Sequence, residues 1–169
     1  MNLGGRRITN DDLRSHFEAL KCKEVATFRA SGNVIFAVDG KSPAKLTVRL
    51  EDGLADALGY EVPVFLRSAK ELLAVAAHEP FEAKALDASA GKLQIALLTK
   101  KPAGEAVERA SALSTEADRL AVEGRELYWL PQGRMSDSEL DLKALATILG
   151  SMTIRTKGTI NQIAAKHFG

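Results

Sequence analysis

Basic residues beside glycines, just ahead of a helix start, are well suited to hold an anion, and this chain has two such places. The first is Asn2 with Gly4-Gly5-Arg6-Arg7, where pliant backbone and two guanidiniums precede a helix starting near Thr9. The second is Arg155, Lys157 and Thr159 around Gly158, before the last helix. Either would bind phosphate or carboxylate through charge-assisted hydrogen bonds. Neither has the spacing of a nucleotide-binding loop. Ser31-Gly32-Asn33 would orient a ligand with turn N–H groups and two polar side chains, and Gly32-Asn33 is also what a tight hairpin needs.

Other chemistries find less support. Cys22 stands between Lys21 and Lys23, which would favour a thiolate, but no base is indicated and a structural thiol is the expectation. His16, His78 and His167 are far apart, none has a second ligand at metal-binding spacing, and neither a metal nor a cofactor is expected. Asp137, Glu139 and Asp141 form the densest carboxylate cluster and would supply an acid or base, although a helix's first turn explains them equally well.

The bulk properties bound the setting. A chain of 169 residues, 46% apolar and 27% charged, buries a core without staples. A net charge of +1 gives no chain-wide field for nucleic acid or anionic membranes. One cysteine, no apolar run of membrane-spanning length and no leader-like start lead us to expect a cytoplasmic protein.

The elements that must position these residues follow a repeated order. Thr9 or Asn10 caps an amphipathic helix with Leu13, Phe17 and Leu20 on one face. Glu24–Ala30 and Val34–Val38 read as a hairpin. Ser42-Pro43 opens a helix carried by Leu46, Leu50, Leu54 and Leu58 to a stop at Gly59. Glu61–Arg67 reads as a strand, and Ser68 with Glu71 as a capping box over a helix through Ala77. In the second half, Lys92–Leu98 is a strand, Pro102–Leu113 a helix, and Arg119–Val122 and Glu126–Leu130 strands turning at Gly124. Ser136 and Glu139 then read as a capping box for a helix ending near Gly150, Met152–Arg155 as extended, and Thr159–Phe168 as the last helix.

This order predicts an α+β fold of two ferredoxin-like (split β-α-β) halves packed together: residues 1–80, a linker at 81–91, and residues 92–169 with an extra C-terminal helix. The first half lacks its opening strand, since Met1–Arg7 reads as the loop that should follow one. Met1-Asn2-Leu3-Gly4-Gly5 resembles the tail of the signature Leu-Arg-Gly-(Ile/Met)-Asn-(Val/Leu)-Gly-Gly that closes the first strand in the domain-of-unknown-function 1697 family. Phe28–Phe36 with its Ser-Gly-Asn, Glu61-Val62-Pro63-Val64 with Arg67, Glu79-Pro80-Phe81, Gly124–Tyr128 and Arg155–Ile160 are similar to later family segments in the same order. The resemblance implies an uncharacterised bacterial protein. It also implies an upstream strand, hence a start assigned too late or a trimmed chain.

The expected function is binding of a small anionic or nucleotide-like ligand in a cleft between the halves, bordered by the two basic loops. The alternatives are an enzyme, a transferase or hydrolase acting on a phosphorylated or acyl substrate, and an RNA-binding protein. The last would need an exposed aromatic sheet face, for which Tyr128 and Trp129 give little basis because they point to opposite sides of one strand.

Overall fold

A computed structural model describes residues 2–3, 6–29, 31–40 and 42–169, with only the backbone for Asn2 and Leu3. Gly4 and Gly5, both expected to bind ligand, lie outside the described residues. The chain is α+β with antiparallel sheets and divides into two compact units, Met1–Leu66 and Arg67–Gly169.

In the first unit, β1 (Asn2–Leu3) pairs with β2 (Arg6–Arg7), a short ladder where the sequence led us to expect a loop. Helix α1 (Asn10–Ala19) starts at a full capping box: Thr9 Oγ1 accepts from the Asp12 N–H, and the Asp12 carboxylate accepts from the Thr9 N–H. β3 (Lys23–Phe28) and β4 (Asn33–Ala37) form the expected hairpin, but its turn is built differently. Arg29 and Gly32 take the positive φ values, 57° and 74°, while Asn33 opens β4 and closes the turn with its side chain. Asn33 Nδ2 donates to Phe28 O at 3.1 Å and to Ser31 Oγ at 2.9 Å.

Helix α2 (Pro43–Leu58) ends at Gly59 with φ 77°, the left-handed stop that glycine tolerates at no steric cost. Leu46, Leu50 and Leu54 of α2 join Leu13, Phe17, Ile8 and Cys22 in the core of this unit. No residue of β3 or β4 is fully buried.

Among the described residues Glu61–Arg67 belongs to no sheet, contrary to expectation. Its β-branched and aromatic residues favour extension, but a strand exists only where a neighbour supplies a ladder, and β3 and β4 pair with each other. The Val64 N–H is satisfied by the Glu51 carboxylate of α2 instead, at 2.9 Å.

The second unit opens with α3 (Ala69–Ala77), capped reciprocally by Ser68 and Glu71, and α4 (Ala83–Ala88), a short helix inside the segment expected to be a linker. Its sheet has the order β6 (Asp118–Glu123), β7 (Glu126–Pro131), β5 (Gln94–Leu98), β8 (Met152–Thr156), all antiparallel. Every residue of β5 and β7 is buried, so Tyr128 and Trp129 are both interior although they face opposite ways. Helices α5 (Gly104–Ser111) and α6 (Leu142–Leu149) cover one face with Ala110, Leu145 and Leu149, against Leu98, Leu120, Leu127 and Trp129.

The capping box expected at Ser136 and Glu139 does not form. Residues Met135–Asp137 make a 3-10 turn, and Asp141 caps α6 by accepting from the Lys143 and Ala144 N–H groups at 3.0 and 2.9 Å. The last helix, α7 (Lys157–Phe168), is capped by Thr156.

The α3 cap carries a pH signature. Burial raises the Glu71 pKa, but the Ser68 N–H and hydroxyl and the Arg125 guanidinium at 2.7 Å outweigh it and hold the group below its ordinary 4.5. A carboxylate depressed in the folded state stabilises fully above its unfolded pKa, about 4.3, and loses that contribution as pH falls through the folded value. Denaturation across this acid range is expected to show a flatter loss of stability for Glu71→Gln than for the parent chain. Equal acid slopes would refute the assignment.

Candidate functional site

The predicted basic residues fall into two different situations. Arg6 and Arg7 are exposed on β2 and line a hollow of about 290 Å³ with Ile8, Asp12, His16, Leu58 and Tyr60. The Arg6 guanidinium carbon stands 4.9 Å from the Tyr60 ring centroid, a cation–π distance. Asp12 contributes a carboxylate, but its oxygen is engaged by the Thr9 hydroxyl first and the Thr9 N–H second, which hold its pKa below 3.8. The two guanidiniums are therefore the charges this hollow presents with the most freedom.

The second basic segment is spent on structure. Lys157 is buried, and its Nζ donates to His78 O at 2.5 Å and Val75 O at 3.4 Å, with Glu79 at 3.4 Å. It caps the C-terminus of α3, where a cation meets the negative end of the helix dipole. Arg155 is half-buried, its pKa lowered by burial, and Nη1 donates to Thr153 Oγ1 and Ile154 O, both at 2.8 Å. The Thr159 N–H and hydroxyl both meet Thr156 Oγ1 in the α7 cap. Ser31 and Asn33 are bonded to each other within their hairpin.

Cys22 is buried, and burial pushes its thiol pKa up against the opposing charge of Arg49, the reverse of what a nucleophile needs. His78 ends α3 and its ring lies 4.9 Å from that of Tyr128. Among the described residues no group of three or more His, Cys, Asp or Glu is placed to hold a metal ion. Nor is any helix of them long and apolar enough to cross a membrane.

Two polar centres in the second unit were missed by sequence reasoning. One is the pair Arg67–Glu126, 2.7 Å apart with side chains 4% and 11% exposed, where Arg67 Nη2 also donates to Leu98 O and Arg125 O. The other is Asp118, 5% exposed, whose Oδ1 accepts from the Trp129 indole and from Ser138 Oγ, each at 2.7 Å. Asp118 lines a hollow of about 460 Å³ together with Asp137, Glu139 and Asp141.

The model of a family described as "Protein of unknown function (DUF1697)" matches residues 1–128 of the 169. The chain belongs to that family. The conserved bacterial protein SP0830 from Streptococcus pneumoniae superposes with a TM-score of 0.73 at 20% identity, over 98% of this chain and 92% of that one. At that identity the likeness shows a shared fold alone. No curated protein matches. The DUF1697 description assigns no activity, so the chemistry of this DUF1697 chain is argued from its own side chains.

Proposed function

We infer that the first unit binds a small anionic ligand, of phosphate or nucleotide type, over Arg6 and Arg7. The observation that carries this is the pairing of two exposed guanidiniums with Tyr60 and His16 around one hollow. Arg offers planar, forked donors that match phosphate and carboxylate, and an aromatic ring beside them favours a ligand that also has a flat face. A hollow of about 290 Å³ lies at the lower limit for small-molecule sites, which suits a ligand of mononucleotide size or smaller. The reading needs only residues of the first unit.

Calorimetric titration of the full chain with pyrophosphate and with a nucleoside monophosphate tests it. Arg6→Ala and Arg7→Ala are each expected to weaken binding about tenfold or more, as loss of a charge-assisted hydrogen bond does. Added salt should weaken binding further, because both groups are exposed. Unchanged affinity in the double variant would overturn the site.

The same reading extends to the fold and setting. We take both halves as ferredoxin-like and the first as lacking its opening strand. Support comes from the β6-β7-β5-β8 order, with α5 and α6 as crossovers, and from the first unit's α1, hairpin and α2 in the same succession. In the second unit the strand following the last crossover, β8, is paired to β5; Glu61–Leu66, in the matching place, has no ladder among the described residues. A central strand beside β4 would supply one. The single cysteine, free and buried, suits a reducing bacterial cytoplasm.

A further inference from the structure

We propose that the hollow beside β6 and α6 binds a primary amine, its ammonium group seated on Asp118. Four carboxylates line this hollow, Asp118, Asp137, Glu139 and Asp141, against the single guanidinium of Arg134. Three are rim groups of ordinary kind: Asp137 accepts from Ser136 Oγ at 3.0 Å, Asp141 caps α6, and Glu139 is exposed with no ion-pair or hydrogen-bond partner among the described residues. Asp118 is different. It is 5% exposed, and both of its side-chain hydrogen bonds, from Trp129 and Ser138, converge on Oδ1. Its other oxygen, Oδ2, accepts no hydrogen bond among the described residues and is not sealed from solvent, and the residue lines the hollow.

A carboxylate set beside Leu113, Leu140 and Pro131 with one oxygen unused is open to a further donor. Water supplies one weakly; a cation supplies one with charge. The acidic rim attracts cations and repels the anions expected at Arg6 and Arg7. A metal ion is disfavoured because the described carboxylates are not grouped as a coordination shell. An ammonium needs no such shell: its three donors suit Asp118 Oδ2, the exposed Glu139 and the Thr115 hydroxyl that also lines the hollow. The apolar residues of the wall would accommodate the attached carbon chain.

Trp129 is the only tryptophan in the chain, and its indole N–H bonds the carboxylate in question, so one resonance reports the site directly. The full-length protein, labelled with nitrogen-15, is titrated with butylamine, with putrescine and, in parallel, with magnesium chloride and tetramethylammonium chloride. The expected result is a saturable shift of the indole signal with both amines and little response to tetramethylammonium, which has no N–H to donate. Asp118→Asn, whose amide oxygen still accepts from Trp129 and Ser138, should abolish the response. Glu139→Gln, on the exposed rim, should weaken it several-fold without touching the fold. Silence with both amines overturns the proposal. So does a response that survives in Asp118→Asn or is insensitive to Glu139→Gln, and so does a saturable shift with magnesium that the amines cannot displace.

Discussion

Arg67→Ala is expected to cost about 3–5 kcal/mol of folding free energy, the range for removing one partner of a buried ion pair. Arg67 immediately precedes Ser68, the cap of α3, and its guanidinium reaches the ends of two sheet strands at once: Glu126 of β7 at 2.7 Å, Leu98 O of β5 at 3.0 Å and Arg125 O at 2.9 Å. Burial pulls its pKa down and the Glu126 carboxylate pulls it back, which leaves a cation held by its contacts. Alanine would strand Glu126, whose side chain is 11% exposed, with the Arg125 backbone N–H as its remaining hydrogen bond among the described residues, and would take a donor from the Leu98 and Arg125 carbonyls, the second of which keeps the Leu98 N–H. Urea denaturation should show the midpoint falling with an unchanged slope if the native state stays intact. The pair's own worth is much smaller than this loss. Arg67→Met combined with Glu126→Leu should recover most of the stability, because it removes both charges and keeps volume. A double variant as unstable as Arg67→Ala would mean that the carbonyl contacts, and not the stranded charge, dominate.

The contrast between what could and could not be read from the chain follows the range of the interactions concerned. Thr9 was legible as a cap and Ser68 with Glu71 as a capping box, because the groups concerned lie within three residues of one another and nothing distant competes for them. Ser136 and Glu139 have the same spacing and fail. The chain turns first at Met135–Asp137, Ser138 gives its hydroxyl to Asp118 twenty residues away, and Asp141 is left to start the helix. Glu61–Arg67 has the composition of a strand, but ladders are tertiary and no residue type guarantees a neighbour. Among the site residues, Arg6 and Arg7 announce their charge in any sequence, whereas Tyr60 joins them from beyond α2 and His16 from within α1. Lys157 looked like a ligand-binding cation because its partners, the Val75 and His78 carbonyls, are about eighty residues earlier in the chain.

Asp118 was within reach of sequence reasoning. Once Gly124 fixes the β6–β7 turn, Leu120 falls opposite Trp129, which puts Asp118 on the same face two places along, a diagonal that a long aromatic side chain spans. The structure gives that diagonal a hydrogen bond of 2.7 Å inside the core. Asp118→Ala is therefore expected to destabilise the chain by about 2–4 kcal/mol, since it leaves the indole N–H and the Ser138 hydroxyl without acceptors where water is scarce. Ser138 in turn accepts from the Leu140 N–H at 3.1 Å, so the loss should spread to the loop that leads into α6. Asp118→Asn separates geometry from charge. It keeps an oxygen in place for both donors and should cost well under half as much, with the indole resonance retained near its original position. Chemical denaturation of the two variants, read alongside hydrogen exchange at the Trp129 indole, distinguishes the cases. If the asparagine chain proves as unstable as the alanine chain, the negative charge itself is what Trp129 and Ser138 require, and a cation in the hollow would compete with them for it. If it is nearly as stable as the parent, the two donors ask only for an oxygen, and the charge of Asp118 is left for a ligand to use.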